Sequence, residues 1–270
     1  MSSPAPLFTD THCHIHESTY GDQEGAYVRA MESGVQHLIC VGTEEQSSRE
    51  AVSFARTHEN TWASVGLHPH DAQTGIRAVQ VLEQLAKDDK KDHVGKIVAV
   101  GECGLDYFYD NSPRDLQIDM LRAQLDLASR YDLPVIFHVR DTKNPQDSAV
   151  WADFWPIFDS YEGLRGVLHS FTDNLSNLRE GLSRGLLIGV NGISTFASGE
   201  KEQEMYASIP LESLVFETDA PYLTPVPHRG TVNEPAYIPY IAQHIATLKN
   251  IDIDELARAA ERNAKRLFNL

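Results

Sequence analysis

Long apolar runs are missing from this 270-residue chain. The longest are strand-sized, far below the roughly 20 apolar residues that a membrane-spanning helix needs. Cysteine is scarce: Cys13, Cys40 and Cys103 are the three, too few and too scattered for a disulfide framework. Each lies in or beside a segment read as a strand, so buried free thiols in a reducing compartment, the cytoplasm, are expected. Positive charge is short as well. Lys and Arg number 23 against 39 Asp and Glu, a net charge of −16. That argues against a broad electrostatic grip on nucleic acid. It leaves room for a small acidic-ligand site where metal ions carry the positive charge. No low-complexity stretch, Pro/Gly-rich linker or internal repeat divides the chain, and one domain over residues 1–270 is expected. The opening Met1-Ser2-Ser3-Pro4-Ala5-Pro6 has neither the basic region nor the apolar core of a signal peptide.

What is present is an alternation. Strand-like apolar runs fall at Leu7–His14, His37–Gly42, Thr61–Gly66, Ile97–Glu102, Pro134–His138, Gly166–His169, Leu186–Val190 and Leu214–Thr218. Helix-like segments separate them: Glu24–Ser33, Ser47–His58, Ile76–Lys87, Asp115–Tyr131, Ala149–Tyr161, Leu175–Ser183, Glu200–Ile209 and Pro235–Lys249. A last helix, Ile253–Phe268, with Leu256, Ala260 and Leu267 at helical spacing, closes the chain and reads as a barrel cover. Ser112-Pro113 and Asp252 stand where helix caps belong. Near-continuously apolar strands separated by helices imply a parallel sheet covered on both faces. Eight such units imply an α/β protein with a (β/α)8 TIM barrel. A doubly wound open sheet fits less well, since no glycine-rich phosphate loop follows the first strand.

The histidines and carboxylates cluster at strand ends. His12 and His14 close the first strand, two residues apart, and so aim one way while Cys13 faces the other. The third strand runs into His68-Pro69-His70, the fourth ends at Glu102, the fifth at His138, the sixth at His169, and the eighth runs into Glu217-Thr218-Asp219. In this fold the chemistry sits at the C-terminal ends of the strands. Gathering such groups there gains nothing unless they bind something, because each must be solvated or paired. Four of these histidines with Glu102 and Asp219 already exceed what one ion with open positions would take. Two ions about 3.5–4 Å apart, with Glu102 as bridge, fit better. No lysine ends the fourth strand, which disfavours a carbamylated-lysine bridge. The mixed nitrogen and oxygen donors suit Zn, Mn, Fe, Co or Ni, with Mg less natural.

The ordered set of motifs resembles the TatD-type metal-dependent deoxyribonucleases across nearly the whole chain. It comprises Asp10-Thr11-His12-Cys13-His14, Gly66-Leu67-His68-Pro69-His70, Gly101-Glu102-Cys103-Gly104-Leu105-Asp106-Tyr107, Phe137-His138-Val139-Arg140-Asp141, His169-Ser170-Phe171, Glu217-Thr218-Asp219-Ala220-Pro221-Tyr222-Leu223, Arg229-Gly230 and Asn263-Ala264-Lys265-Arg266-Leu267-Phe268. The resemblance implies a TIM barrel of the amidohydrolase type with a divalent metal centre. One ion would be held by His12, His14, Glu102 and Asp219, the other by Glu102, His138 and His169. Hydrolysis of DNA, in several members as a 3′→5′ exonuclease on single strands, is the implied activity. Two divalent ions (Mg, Mn or Zn) are the expected cofactors and single-stranded DNA ends the expected partner. Departures from the family pattern at Thr231-Val232, in the stretch Asp141–Asp147 and in the charged stretch Lys87–Lys96 bear on substrate preference.

Asp219 and Glu102 are the expected catalytic carboxylates, Asp219 orienting the attacking water and taking its proton. His68 would donate to a phosphate oxygen or leaving group, or fix a ligand by a hydrogen bond. Arg140 and Arg229 suit phosphate contacts, since a guanidinium matches phosphate bidentately; a salt bridge from Arg140 to Asp141 is the plainer alternative. Tyr107 and Phe108 would stack on a base or pack the loop. A monomer is expected, as no exposed apolar stripe stands out. The competing functions are an amidohydrolase acting on an ester, lactone or amide with the same metal centre, and a non-enzymatic binding barrel.

Overall fold

The computed structural model describes residues 6–109, 111–144 and 148–270. Residues 1–5, 110 and 145–147, the last within the Asp141–Asp147 stretch, lie outside the described residues. The order is β1 (Phe8–Cys13), α1 (Gln23–Glu32), β2 (Val35–Val41), α2 (Glu45–Thr57), β3 (Thr61–Val65), α3 (Ile76–Lys91), β4 (Ile97–Asp106), α4 (Arg114–Tyr131), β5 (Val135–Arg140), α5 (Ala149–Asp159), β6 (Gly166–Leu168), α6 (Leu175–Ser183), β7 (Leu187–Val190), α7 (Glu200–Ser208), β8 (Leu214–Phe216), α8 (Ile238–Lys249) and α9 (Ile253–Phe268). The strands form one eight-stranded sheet in the order β1 to β8. A helix between consecutive parallel strands is what such pairing requires, because a tight turn cannot reverse the chain direction twice. This is the (β/α)8 TIM-barrel fold.

By contacts the chain divides into two units, one holding the segments up to Cys40 and from Ser170 onward, the other Val41–His169. In the first, β1 pairs in parallel with β2 and β7 with β8, and a bridge joins Cys13 to Ala220 beyond β8. The helix α9 packs on β1 and β8, with Leu256, Ala260 and Leu267 buried; it is the cover that its spacing predicts. Its Asp252 cap accepts the N–H groups of Asp254 and Glu255. Buried Asn263 ties α9 to the start of β8, its Nδ2 donating to the carbonyls of Leu211 (2.7 Å) and Leu214 (2.9 Å). Asn263→Ala would leave two carbonyls short of a donor, that of Leu214 buried and that of Leu211 part-buried, so a loss of about 1–3 kcal/mol is expected by urea denaturation. A midpoint equal to the parent's would refute that role.

In the second unit β3, β4, β5 and β6 pair in sequence, all parallel. β4 is buried along its whole length and runs four residues past Glu102, where the sequence suggests that it stops. The Lys87–Lys96 stretch is a solvated helix end and loop, exposed except at Asp89 and Lys96. α3 continues to Lys91, and buried Asp89 accepts the N–H groups of Lys96 and Ile97, anchoring the entry to β4. Ser112 does not cap α4. Its hydroxyl donates to the His70 carbonyl, and Pro113 occupies the cap position without a side-chain bond. The three cysteines are buried free thiols. Among the described residues no helix is long and apolar enough to cross a membrane.

Candidate metal centre

The first cluster forms where β1 ends beside the segment after β8. His12 and His14 point the same way, their Nε2 atoms 3.1 Å apart. Asp219 Oδ1 lies 3.5 Å from the first and 3.4 Å from the second. Two backbone bonds hold this arrangement: Asp219 N–H donates to the His12 carbonyl (2.8 Å) and His14 N–H to the Ala220 carbonyl (2.8 Å). Asp219 sits in the left-handed region, φ 60°, which aspartate tolerates better than most residues. Beneath it, buried Asp10 accepts from His12 N–H, Thr218 N–H and the Thr218 hydroxyl. Burial raises the Asp10 carboxyl to about 7 despite those bonds.

These atoms fit a metal. A proton can bridge only one pair of the three converging acceptor-capable atoms, whereas a cation binds all three. The point equidistant from the two Nε2 atoms and Oδ1 lies about 1.9 Å from each, against about 2.0–2.1 Å for a zinc–imidazole bond.

The second cluster rests on β4 and β5. Glu102, Gly104 and Asp106 share one face of β4, because strand side chains alternate. Gly104 is in register with His138 of β5, so the His138 ring falls between the two carboxylates. Its Nδ1 lies 2.7 Å from Glu102 Oε1 and its Nε2 2.9 Å from Asp106 Oδ2. Burial opposes a charged ring there, but Asp106 and Glu102 outweigh it and hold His138 up at about 9. His138 in turn keeps the buried Asp106 carboxyl below the usual carboxylate range. His68 Nδ1 accepts the His70 N–H; its Nε2 therefore carries the proton in the neutral ring and faces Glu102 Oε1 at 3.6 Å. Burial, with the neighbouring His138 charge, lowers His68 to about 3. His169 Nε2 approaches the same Glu102 oxygen at 3.8 Å. His68, Glu102 and His138 thus offer ligand atoms within 4.8 Å of one another, as do His12, His14 and Asp219.

The expected substrate contacts are placed unevenly. Arg140 is exposed and stacks over Phe108 and Tyr109 rather than meeting Asp141, whose carboxylate accepts the N–H groups of Thr142 and Val150. Arg229 stacks on Phe196, 3.9 Å from the ring centre, and donates to the Thr224 carbonyl. Tyr107 is 4% exposed. Its hydroxyl donates to Asp153 and Arg114 covers its ring, so no open face remains for a base. Tyr109, which the sequence did not single out, is 53% exposed.

Three more residues escaped the sequence reading as site groups. Asp106 also receives His70 Nε2 (3.1 Å); its even spacing from Glu102 was the available signal. Asp10 is the second. Glu217, two before Asp219, accepts the Ser170 N–H (2.5 Å), in space that a side chain at Gly189 would fill.

Two clusters of imidazole and carboxylate donors on a (β/α)8 barrel define the class: a metal-dependent hydrolase. A family model for TatD related DNase matches residues 9–269, and the chain belongs to that family. It is 34% identical over 265 residues to the uncharacterized metal-dependent hydrolase YabD of Bacillus subtilis, covering 98% of this chain and 100% of that one. It is 34% identical over 256 residues to the 3′-5′ ssDNA/RNA exonuclease TatD of Erwinia amylovora, 92% and 94% of the two chains. The crystal structure of the TatD homologue YjjV of Escherichia coli K12 superposes with a TM-score of 0.85 at 32% identity, over 97% of this chain and 98% of that one.

Proposed function

We propose that this protein cleaves DNA phosphodiester bonds as a 3′–5′ exonuclease on single-stranded ends, using two divalent ions (Mg, Mn or Zn). The observation that carries this reading is the convergence of His12, His14 and Asp219 on one point, repeated by His138 and its neighbours around Glu102. One ion would be held by His12, His14 and Asp219, the other by Glu102 and His138 with His169. The ions would polarise the phosphoryl oxygens and make hydroxide available near neutral pH. Asp219, its side chain 16% exposed, orients the attacking water and accepts its proton. His68, neutral with Nε2–H on the side of Glu102, donates to the leaving oxygen. Asp106 fixes the His138 ring, as carboxylates do for metal-bound imidazoles. Arg140 and Arg229 take flanking phosphates. The Erwinia relative is named for this activity on single strands.

Chelation tests it. EDTA should abolish cleavage of labelled single-stranded DNA and lower the thermal midpoint by about 5–10 °C, with Mn or Mg restoring both. If Mg, Mn, Co and Zn all fail to support cleavage of nucleic acid, while an ester, lactone or amide is hydrolysed, the amidohydrolase reading replaces this one.

A further inference from the structure

We propose that Tyr109, with Phe108, Arg140 and Lys143, forms a subsite for one nucleotide of a single strand, the base on Tyr109 and its phosphate on Arg140 and Lys143. The subsite rests on the nuclease reading above and extends it.

Four observations lead there. Tyr109 is among the most exposed large side chains of the described residues, at 53%. Its ring meets those of His70 and Phe108 edge to face, 5.4 and 4.9 Å between centres, and the rest of it is open to solvent. Its position is nevertheless fixed. Asp106 Oδ1 accepts the N–H groups of both Phe108 and Tyr109 (2.9 and 3.0 Å), folding the chain into a tight turn straight after β4. The same carboxylate receives His138, so the ring is tied to the metal-ligating strand by a short chain of bonds.

The third observation is charge. In a chain of net charge −16, two cations gather on these rings. The Arg140 guanidinium lies 4.2 Å from the Phe108 centre and 4.9 Å from that of Tyr109. Lys143 Nζ lies 5.4 Å from the Phe108 centre. Neither cation meets a carboxylate among the described residues, so both keep charge to offer an anion. Fourth, Arg140 follows His138 by two residues on β5, and side chains two apart on a strand share a face. Its charge is thus directed to the side on which His138 meets Glu102. An open aromatic ring backed by a guanidinium, with a second cation beside it, matches a nucleotide in both its parts. A small ester or lactone has no use for the pair.

The test compares the parent with Tyr109→Leu, Tyr109→Phe and Arg140→Gln as metal-loaded full chains. Steady-state kinetics on a single-stranded oligonucleotide are combined with quenching of a 2-aminopurine base in that strand on binding. Stacking on one ring should make KM rise about tenfold in Tyr109→Leu, with kcat changed far less. The quench should vanish in that variant, and Tyr109→Phe should restore both. Arg140→Gln should raise KM and flatten its dependence on salt. A Tyr109→Leu variant with the parent's KM and quench overturns the subsite alone. A parent that cleaves no nucleic acid overturns the nuclease reading, and the subsite with it.

Discussion

Glu102→Ala should abolish metal-dependent hydrolysis and leave the fold standing. The Glu102 side chain is nearly sealed, 5% exposed, and His138, His68 and His169 surround its Oε1 at 2.7, 3.6 and 3.8 Å. Removing it deletes the carboxylate at the middle of the β4–β5 cluster and leaves His138 with Asp106 alone. A fall in kcat of about 10³-fold or more is expected, equivalent to roughly 4 kcal/mol of transition-state stabilisation. Asp219→Ala should act similarly, because it removes the carboxylate that faces both His12 and His14. Elemental analysis should show metal lost from both variants while circular dichroism stays that of the parent. The Glu102 backbone is held independently, its N–H donating to the Gly42 carbonyl (2.9 Å), so the strand does not depend on the side chain. Cleavage by Glu102→Ala within about tenfold of the parent would remove Glu102 from the centre.

Gly104→Ala is expected to fail at the level of folding. Gly104 faces His138 across the β4–β5 pair, and a Cβ there would enter the volume of the His138 carbonyl oxygen. The backbone at Gly104 has φ 156°, at the edge of the region that side chains disfavour. The neighbouring strand cannot yield. His138 makes the shortest imidazole contact of both Glu102 and Asp106, 2.7 and 2.9 Å, and β4 is buried from end to end. A methyl group therefore forces the two strands apart or expels the imidazole. A cost above about 4 kcal/mol follows, in the range reserved for backbone clashes and broken buried networks. Thermal denaturation should show a large drop in midpoint or no cooperative transition. A variant melting within a few degrees of the parent would mean that Gly104 does not face His138 across β4 and β5.

The fate of β4 shows where sequence reading reaches its limit. Gly101 and Gly104 look like the punctuation of a strand end, since glycine weakens strands. In the fold they are what lets β4 run close to its neighbours, so the strand continues and delivers Asp106 to the face that Glu102 shares. Tyr107 and Tyr109 illustrate a different limit. Both lie in one short aromatic run, and a turn has no periodicity from which to say which ring is buried. Asp106 decides it by capturing the N–H groups of Phe108 and Tyr109. That turn leaves Tyr107 bonded to Asp153 and Tyr109 in solvent.

By itself the sequence determined the alternation of strands and helices, the eight-unit barrel, and the convergence of His12 with His14. All three rest on periodicity, which is local: side chains two apart on a strand must share a face whatever surrounds them. Only the tertiary structure decided which groups meet across strands. The parallel register sets His138 opposite Gly104 and between two carboxylates, and the turn beyond β8 carries Asp219 to the two histidines at the end of β1. Register and loop path are fixed by the packing of distant segments, and no window of sequence contains them.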